Sequence, residues 1–235
     1  MGMISTITAT AYRFAMDIKY WTSQVHHSFK SNHSFSSGNE DLFLVNYFHS
    51  RKGKYVDIGA GHPKHGSNTY LLYKMGWSGV TVDPIKGMYL LHKLIRPSDK
   101  QILGVVSNQR EKVTFYEYNP TEYSTVSPDH NSKMLKDGFR PRRTYLVDAM
   151  QLCKVFELLP NKPVELLCID VEGHDLQILS QLNQLKHFPE VICAEIINNS
   201  QEIETLLLGF GYLNIRKLGN NAIFVKKDSQ KVIES

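Results

Sequence analysis

Apolar positions along the chain switch repeatedly between strand-like and helix-like spacing. Residues 54–58, 80–82, 102–106, 164–169 and 191–197 read as strands, predominantly apolar, as strands covered on both faces are. Between them, residues 67–75 and 86–95 read as helices, as does 148–158. Leu176, Leu179, Leu182 and Leu185 mark one helical face, and Ile203, Leu206, Leu207 and Phe210 mark another. An earlier helix over 40–49 is capped by Asn39, and Asn199 with Glu202 resembles a capping pair. Residues 113–118 alternate as a further strand, and 145–147 form a short one. The last two strands, 212–216 and 222–225, flank Gly219-Asn220-Asn221, a hairpin signal. Strands alternating with helices imply an α/β, doubly wound, mostly parallel Rossmann-like sheet, with an antiparallel hairpin strand at its C-terminal edge.

Two stretches break the alternation. Residues 1–38 form a lead-in, with a helix expected over 8–22 and then a polar run. His26, His27 and His33 in that run lack carboxylates or cysteines at ligand spacing, so a flexible loop is the simpler reading. Residues 119–143 show no period and contain Pro120, Pro128, Gly138 and Pro141. A gap of that length is a functional lid or a disordered insertion in the domain spanning 39–235.

Composition narrows the class. The 235 residues are 42% hydrophobic and 21% charged, which suits one globular domain. The longest apolar runs fall far short of the roughly 20 residues of a membrane span. Cys153, Cys168 and Cys193 are odd in number and form no CxxC pair, which points to a reducing, cytoplasmic setting. The first 21 residues lack the continuous apolar core of a signal peptide. Charge is uneven: residues 51–100 carry nine basic and three acidic side chains, whereas 151–200 carry three basic and seven acidic. Such blocks are either solvated faces or ligand-directed patches.

Tyr55-Val-Asp-Ile-Gly-Ala-Gly61 ends the first strand in a glycine turn, at the edge where doubly wound sheets bind ligands. Gly59 and Gly61 allow close approach of backbone to a ligand, and Asp57 stands before the turn. Asp83 ends the second strand, placed to bind the two hydroxyls of a ribose. A dinucleotide fingerprint needs a third glycine at position 64, where Lys64 stands. A nucleoside cofactor without a pyrophosphate, S-adenosyl-L-methionine, fits better.

The second constellation is Cys168-Ile-Asp-Val-Glu-Gly-His-Asp175, at the end of another buried strand. It brings Asp170, Glu172 and His174 to the same sheet edge, with His174 suited to general-base work near pH 7. Glu195 ends the following strand, so Asp170 and Glu195 could share a divalent cation such as Mg²⁺. The plainer alternative makes Glu195 a hydrogen-bonding wall residue.

From about residue 38 to 197 the ordered motifs resemble the FkbM family of S-adenosylmethionine-dependent methyltransferases. They are Val56-Asp-Ile-Gly-Ala60, Ser67-Asn-Thr-Tyr70, Gly76-Trp-Ser-Gly79, Asp83-Pro84, Arg96-Pro97 with Asp99, Val106-Ser107 and Ile169-Asp-Val-Glu-Gly-His174. The resemblance implies a methyltransferase fold acting on small-molecule, glycan or lipid hydroxyls. It further implies that Asp57, Gly59, Ala60 and Gly61 line the methionine and ribose region, with Asn68 and Thr69 beside them. Asp83 would hold the ribose, Ser107 would lie near the adenine, and Asp170 and His174 would lie by the transferred methyl. Many members carry Glu where this chain has Asp83 and Asp175, swaps that keep the charge.

Three functions follow from these readings. One is O-methyl transfer to a sugar, glycan or small molecule. A nucleotide-linked acceptor also fits if Arg140, Arg142 and Arg143 grip a phosphate rather than face solvent. A nucleic-acid methyltransferase is the second, but its Asn/Asp-Pro-Pro-aromatic stretch is missing, so no nucleic-acid partner is expected. The third is a binding module that keeps the fold without turnover.

Overall fold

The computed structural model describes residues 34–49, 51–109, 111–159 and 163–228. The helix expected over 8–22 and the three N-terminal histidines lie outside the described residues. Ten strands follow in chain order: β1 (Lys54–Ile58), β2 (Ser78–Asp83), β3 (Lys100–Leu103), β4 (Val105–Val106) and β5 (Glu111–Glu117), then β6 (Arg143–Met150), β7 (Leu166–Ile169), β8 (Val191–Glu195), β9 (Tyr212–Leu218) and β10 (Asn221–Lys226). Seven of them form the main sheet in the order β3-β2-β1-β7-β8-β10-β9. The first five in that order are parallel, and β10 runs antiparallel to both β8 and β9. The expected α/β sheet with its antiparallel C-terminal hairpin is therefore what forms. Chain direction across the sheet reverses between β1 and β7, the switch point where a crevice opens at the strand ends.

Among the described residues, seven α-helices flank these strands: α1 (Glu40–Phe48), α2 (Tyr70–Lys74), α3 (Lys86–Ile95), α4 (Pro128–Lys136), α5 (Leu152–Phe156), α6 (Asp175–Leu179) and α7 (Ser200–Gly209). The period-2 alternation of the strands divides the core into two layers. Val56, Ile58, Leu167 and Ile169 pack under Leu152, Ile178 and Leu207 of α5, α6 and α7. Tyr55, Leu166 and Cys168 face the other way, against Leu44 and Phe48 of α1 and Leu72 of α2.

Several expected elements differ. The strand expected over 102–106 splits at Gly104 into β3 and β4, and β4 joins a separate three-stranded sheet in the order β4-β6-β5. A Cβ at Gly104 would lie 2.7 Å from the Asp148 carbonyl oxygen, so the two sheets meet there on a glycine. The helix expected over 148–158 shrinks to α5, because Val147 and Ala149 are claimed by β6 and pack on Val113 and Phe115. Residues 119–143 contain α4, which begins at Pro128: proline suits a first helical turn, and the Ser127 hydroxyl accepts from His130 N at 3.2 Å. The helix expected from Leu176 to Leu185 is α6 followed by a 3-10 turn over Ser180–Gln184. Neither Asn39 nor Asn199 caps through its side chain. Instead Asp41 accepts from Ser34 Oγ, Phe35 N and Ser36 Oγ, folding residues 34–36 back onto α1.

On the α1 and α2 face lies a wholly buried arginine. Arg96 donates from Nε to Asp99 Oδ2 at 2.8 Å, and from Nη2 to Tyr55 Oη at 2.7 Å and Thr69 Oγ1 at 2.8 Å. Its Nη1 reaches Ser67 Oγ at 3.3 Å and Pro63 O at 3.5 Å. Asp99 in turn accepts from Tyr55 Oη and from Gly79 N at 2.8 Å. One guanidinium thus fastens β1, β2, the entry to α2 and the glycine loop. Removing one partner of such a pair leaves the other charge buried and unpaired. Arg96→Met is expected to lower unfolding free energy by about 3–5 kcal/mol, whereas Lys86→Met on the exposed side of α3 should change it by less than about 0.5 kcal/mol. Urea denaturation of the two variants checks this.

Candidate active site

At the ends of β1, β2 and β7 the chain encloses a cavity of about 660 Å³. Its floor is the turn Gly59-Ala60-Gly61, where Gly59 and Gly61 take φ values of 74° and 54°. Gly59 N and Ala60 N both donate to Val82 O, at 3.0 and 3.1 Å. A Cβ on Gly59 would fall 1.8 Å from Asp170 O, so only glycine lets the β1 and β7 ends come this close. Asp83 lines one side. Each of its carboxylate oxygens takes one backbone N–H, Gly61 N at 2.9 Å and Ile85 N at 2.7 Å, and each keeps acceptor capacity for a ligand. Asp170, Glu172 and His174 line the opposite side.

Seven of the residues expected from sequence thus meet around one cavity: Gly59, Ala60, Gly61, Asp83, Asp170, Glu172 and His174. The others lie beside it. Asp57 and Thr69 turn to each other, the Thr69 hydroxyl donating to Asp57 Oδ2, and both face Arg96. Asn68 directly precedes Thr69 and is not part of the cavity wall. Ser107 is buried with its hydroxyl accepting from Gln109 N at 3.2 Å, while Val105 and Val106 take the wall position. Glu195 is buried behind the wall, yet its carboxylate lies with those of Asp170 and Glu172, one oxygen of each within 4.8 Å of the others. Of the three insertion arginines, Arg143 pairs with Glu117 at 2.6 Å and Arg140 donates to the Leu135 and Phe139 carbonyls. None of the three lines this cavity.

Sequence reasoning missed part of the wall. Ser34, Phe35, Ser36 and Ser37, assigned to the lead-in, close one side. Thr121, Glu122, Ser124, Thr125 and Val126 of the 119–143 stretch close another. Thr125 Oγ1 donates to the Glu172 carbonyl at 2.8 Å, and His130 Nε2 lies 3.9 Å from Glu172 Oε2. Neither stretch has a periodic signal; the Asp41 hydrogen bonds and the Ser127 cap that order them are visible only once folded.

Burial governs the electrostatics. It pushes Asp83 up to about 7, against the two N–H groups that favour its ionised form. Burial pushes Asp170 up to about 7, helped by Asp175 and Asp57, and Glu172 to about 8, helped by Asp170 and Asp175. Glu195 goes to about 10, from burial and then the charges of Asp170, Glu172 and Asp175. Burial lowers His174, so its imidazole is neutral near pH 7. The wall opposite Asp83 is therefore a concentration of carboxyl groups with no lysine or arginine paired to them among the described residues.

A sheet of this strand order, with a glycine turn after β1 and an acidic residue ending β2, defines a methyltransferase-type Rossmann domain. Residues 57–213 match the family described as the methyltransferase FkbM domain, and the chain belongs to that family of S-adenosylmethionine-dependent methyltransferases. No curated protein matches the chain significantly in sequence. Among solved structures, a TehB-like SAM-dependent methyltransferase from Corynebacterium glutamicum is 11% identical, over 94% of this chain and 100% of that one, at a TM-score of 0.47. An O-methyltransferase from Bacillus cereus in complex with SAH is 11% identical over 88% of this chain and 89% of that one, at 0.40. A Burkholderia thailandensis 1,6-didemethyltoxoflavin-N1-methyltransferase is 10% identical, over 91% and 88%, at 0.40. These likenesses are distant, and the assignment rests on the family match and the strand order.

The raised carboxyl groups predict a pH dependence. A carboxyl whose folded pKa exceeds its unfolded value binds more protons in the folded state, so its stabilising contribution is lost as pH rises through the folded pKa. Below about pH 6.5 the lowered histidines act in the opposite sense, but above pH 7 Glu172 and Glu195, at about 8 and 10, still hold protons in the folded state that the unfolded chain has already lost. In metal-free buffer, unfolding free energy is expected to fall between about pH 7 and 9 with a slope on the order of 1 kcal/mol per pH unit. Glu195→Gln should flatten that slope; denaturant titrations across the range measure it.

Proposed function

We propose that the protein transfers the methyl group of S-adenosyl-L-methionine to a hydroxyl of a sugar, glycan or other small-molecule acceptor. The observation that carries this reading is the shared cavity: the glycine turn and Asp83 on one side, Asp170, Glu172 and His174 on the other. The cofactor's ribose hydroxyls would bind the free acceptor positions of Asp83, and its methionine end would run over Gly59, Ala60 and Gly61. Val105, Val106, Met88 and Phe115 offer an apolar surface for the adenine. The carboxylate-rich wall suits the positively charged sulfonium, whose methyl would then point toward the acceptor side.

His174 serves as the general base. Its imidazole is neutral because burial disfavours the charged form, and its Nε2 has no hydrogen-bond partner. A hydroxyl acceptor also suits the divalent cation expected at Asp170 and Glu195, since a bound cation acidifies an oxygen ligand. A nucleotide-linked acceptor loses support, because Arg140, Arg142 and Arg143 stand away from the cavity. Cys168 and Cys193, opposite one another on β7 and β8, are free thiols, which supports a reducing, cytoplasmic setting. Among the described residues, no helix is long and apolar enough to cross a membrane.

Two measurements test the proposal. Calorimetry should detect S-adenosylhomocysteine binding that weakens by about tenfold or more in Asp83→Ala, the loss of hydrogen bonds to a charged group being worth about 1.5–3 kcal/mol. On an acceptor found by screening hydroxyl compounds, His174→Ala should lower kcat by about 10²–10⁴ while leaving S-adenosylhomocysteine affinity close to the original. Full turnover in His174→Ala rules out its role as base.

A further inference from the structure

We propose that Asp170, Glu172 and Glu195 together bind one divalent cation, with the cation's remaining positions open to the cavity and filled by oxygens of the acceptor. This deepens the reading of the cavity as a methyl-transfer site and rests on it for the identity of those oxygens. The ligand set is larger than sequence reasoning suggested, because Glu172 joins it. One carboxylate oxygen from each residue lies within 4.8 Å of the other two, the separation at which three oxygens can share one ion. Ligand–metal distances near 2.0–2.6 Å place neighbouring oxygens about 3–5 Å apart.

The independent observation is Glu195. The residue is 96% buried (4% exposed), and its Oε2 has no hydrogen-bond partner. A buried carboxylate oxygen without a donor is costly, and native structures supply a partner, a water or an ion. Carboxylate oxygens of Asp170 and Glu172 lie within 4.8 Å of the Glu195 carboxylate and, when ionised, repel it. Among the described residues, no lysine or arginine makes an ion pair with Asp170, Glu172 or Glu195. Arg96, the one buried lysine or arginine among the described residues, is engaged on the other face of the sheet by Asp99 and Tyr55. A divalent ion among the three answers both the missing donor and the like-charge contact.

Glu172 is placed by backbone that resists the choice of a side chain there. Its φ is 52°, in the left-handed region where glycine is favoured, and the next residue is Gly173 at 89°. The Thr125 hydroxyl fixes the Glu172 carbonyl at 2.8 Å, so the insertion holds the turn that carries the third carboxylate. Left-handed residues other than glycine persist where surrounding structure over-determines them, often at ligand sites. Asp170 and Glu172 line the cavity while Glu195 closes the back of the cluster. Three protein oxygens leave about half of an octahedral shell for other ligands. The ion would thus present its free positions to the acceptor, favouring molecules with two oxygens on neighbouring atoms.

Binding can be read without turnover. The full-length protein, stripped with chelator, is titrated with Mn²⁺ by calorimetry, and Tb³⁺ luminescence lifetimes are taken in H₂O and D₂O. One Mn²⁺ per chain is expected, weakened by about tenfold or more in Glu195→Gln and in Glu172→Gln, since affinity follows the number of charged ligands. Two or more waters on bound Tb³⁺ are expected. Thermal melts separate binding from misfolding: without metal, Glu195→Gln should melt no lower than the parent protein, while Mn²⁺ should raise the melting point of the parent alone. No Mn²⁺ binding, binding unchanged in both variants, or a Tb³⁺ site without water overturns the proposal. S-adenosylhomocysteine calorimetry on the same samples keeps the two readings apart. Cofactor binding without Mn²⁺ binding sinks the cation alone, and Mn²⁺ binding without cofactor binding sinks the methyl-transfer reading alone.

Discussion

The glycine loop that carries the proposed cofactor site is held from below by one guanidinium. Arg96 links the β1 tyrosine, the Thr69 hydroxyl at the start of α2, the Pro63 carbonyl and the Asp99 carboxylate. A loop that departs from a strand through two left-handed glycines has few conformational preferences of its own. Here its return path is fixed at Pro63, Ser67 and Thr69 by hydrogen bonds to a group that is wholly buried and cannot give up its charge. Asp57, the acidic residue before the turn, lies 4.0 Å from the same guanidinium. It accepts from Thr69 and helps balance the charge of Arg96.

This arrangement divides the charges near the strand ends unequally. On the β1 and β2 side, Asp57 and Asp99 share a cation. On the β7 and β8 side, Asp170, Glu172 and Glu195 share none among the described residues. The first group reads as structure and the second as a site, although both consist of carboxylates near strand ends. Burial alone does not distinguish them; the presence or absence of a counter-charge does. The same contrast explains the acidic block seen in residues 151–200. Its sign comes in good part from groups gathered at two neighbouring strand ends rather than from a solvated face.

The sequence already showed the parts of the molecule that repeat a simple pattern. Strand and helix alternation, the hairpin at Gly219 and the strand-end positions of Asp83, Asp170 and Glu195 are local signals, and the parallel sheet follows from them. What escaped depends on partners far along the chain. Gly104 looks like a residue inside a strand until Asp148 is seen against it. Pro128 looks like a breaker until Ser127 caps the helix it begins. Thr69, expected from its motif beside the cofactor, also accepts from Arg96, a partner that arrives more than twenty residues later.

The division between legible and illegible follows the two halves of the cavity. The cofactor half is built at strand ends, where glycine and acidic residues sit at fixed offsets from buried runs, and such offsets are readable in one dimension. The rest of the wall is built from residues 34–37 and 121–126, with Thr125 and His130 leaning on Glu172. Those segments bury little apolar surface and are ordered by hydrogen bonds from single hydroxyls and carboxylates, which leave no period in the sequence. Residues of this kind can change without disturbing the sheet. Under the proposed function these segments would set the choice of acceptor, and they are the ones whose structure the pattern of the chain reveals least.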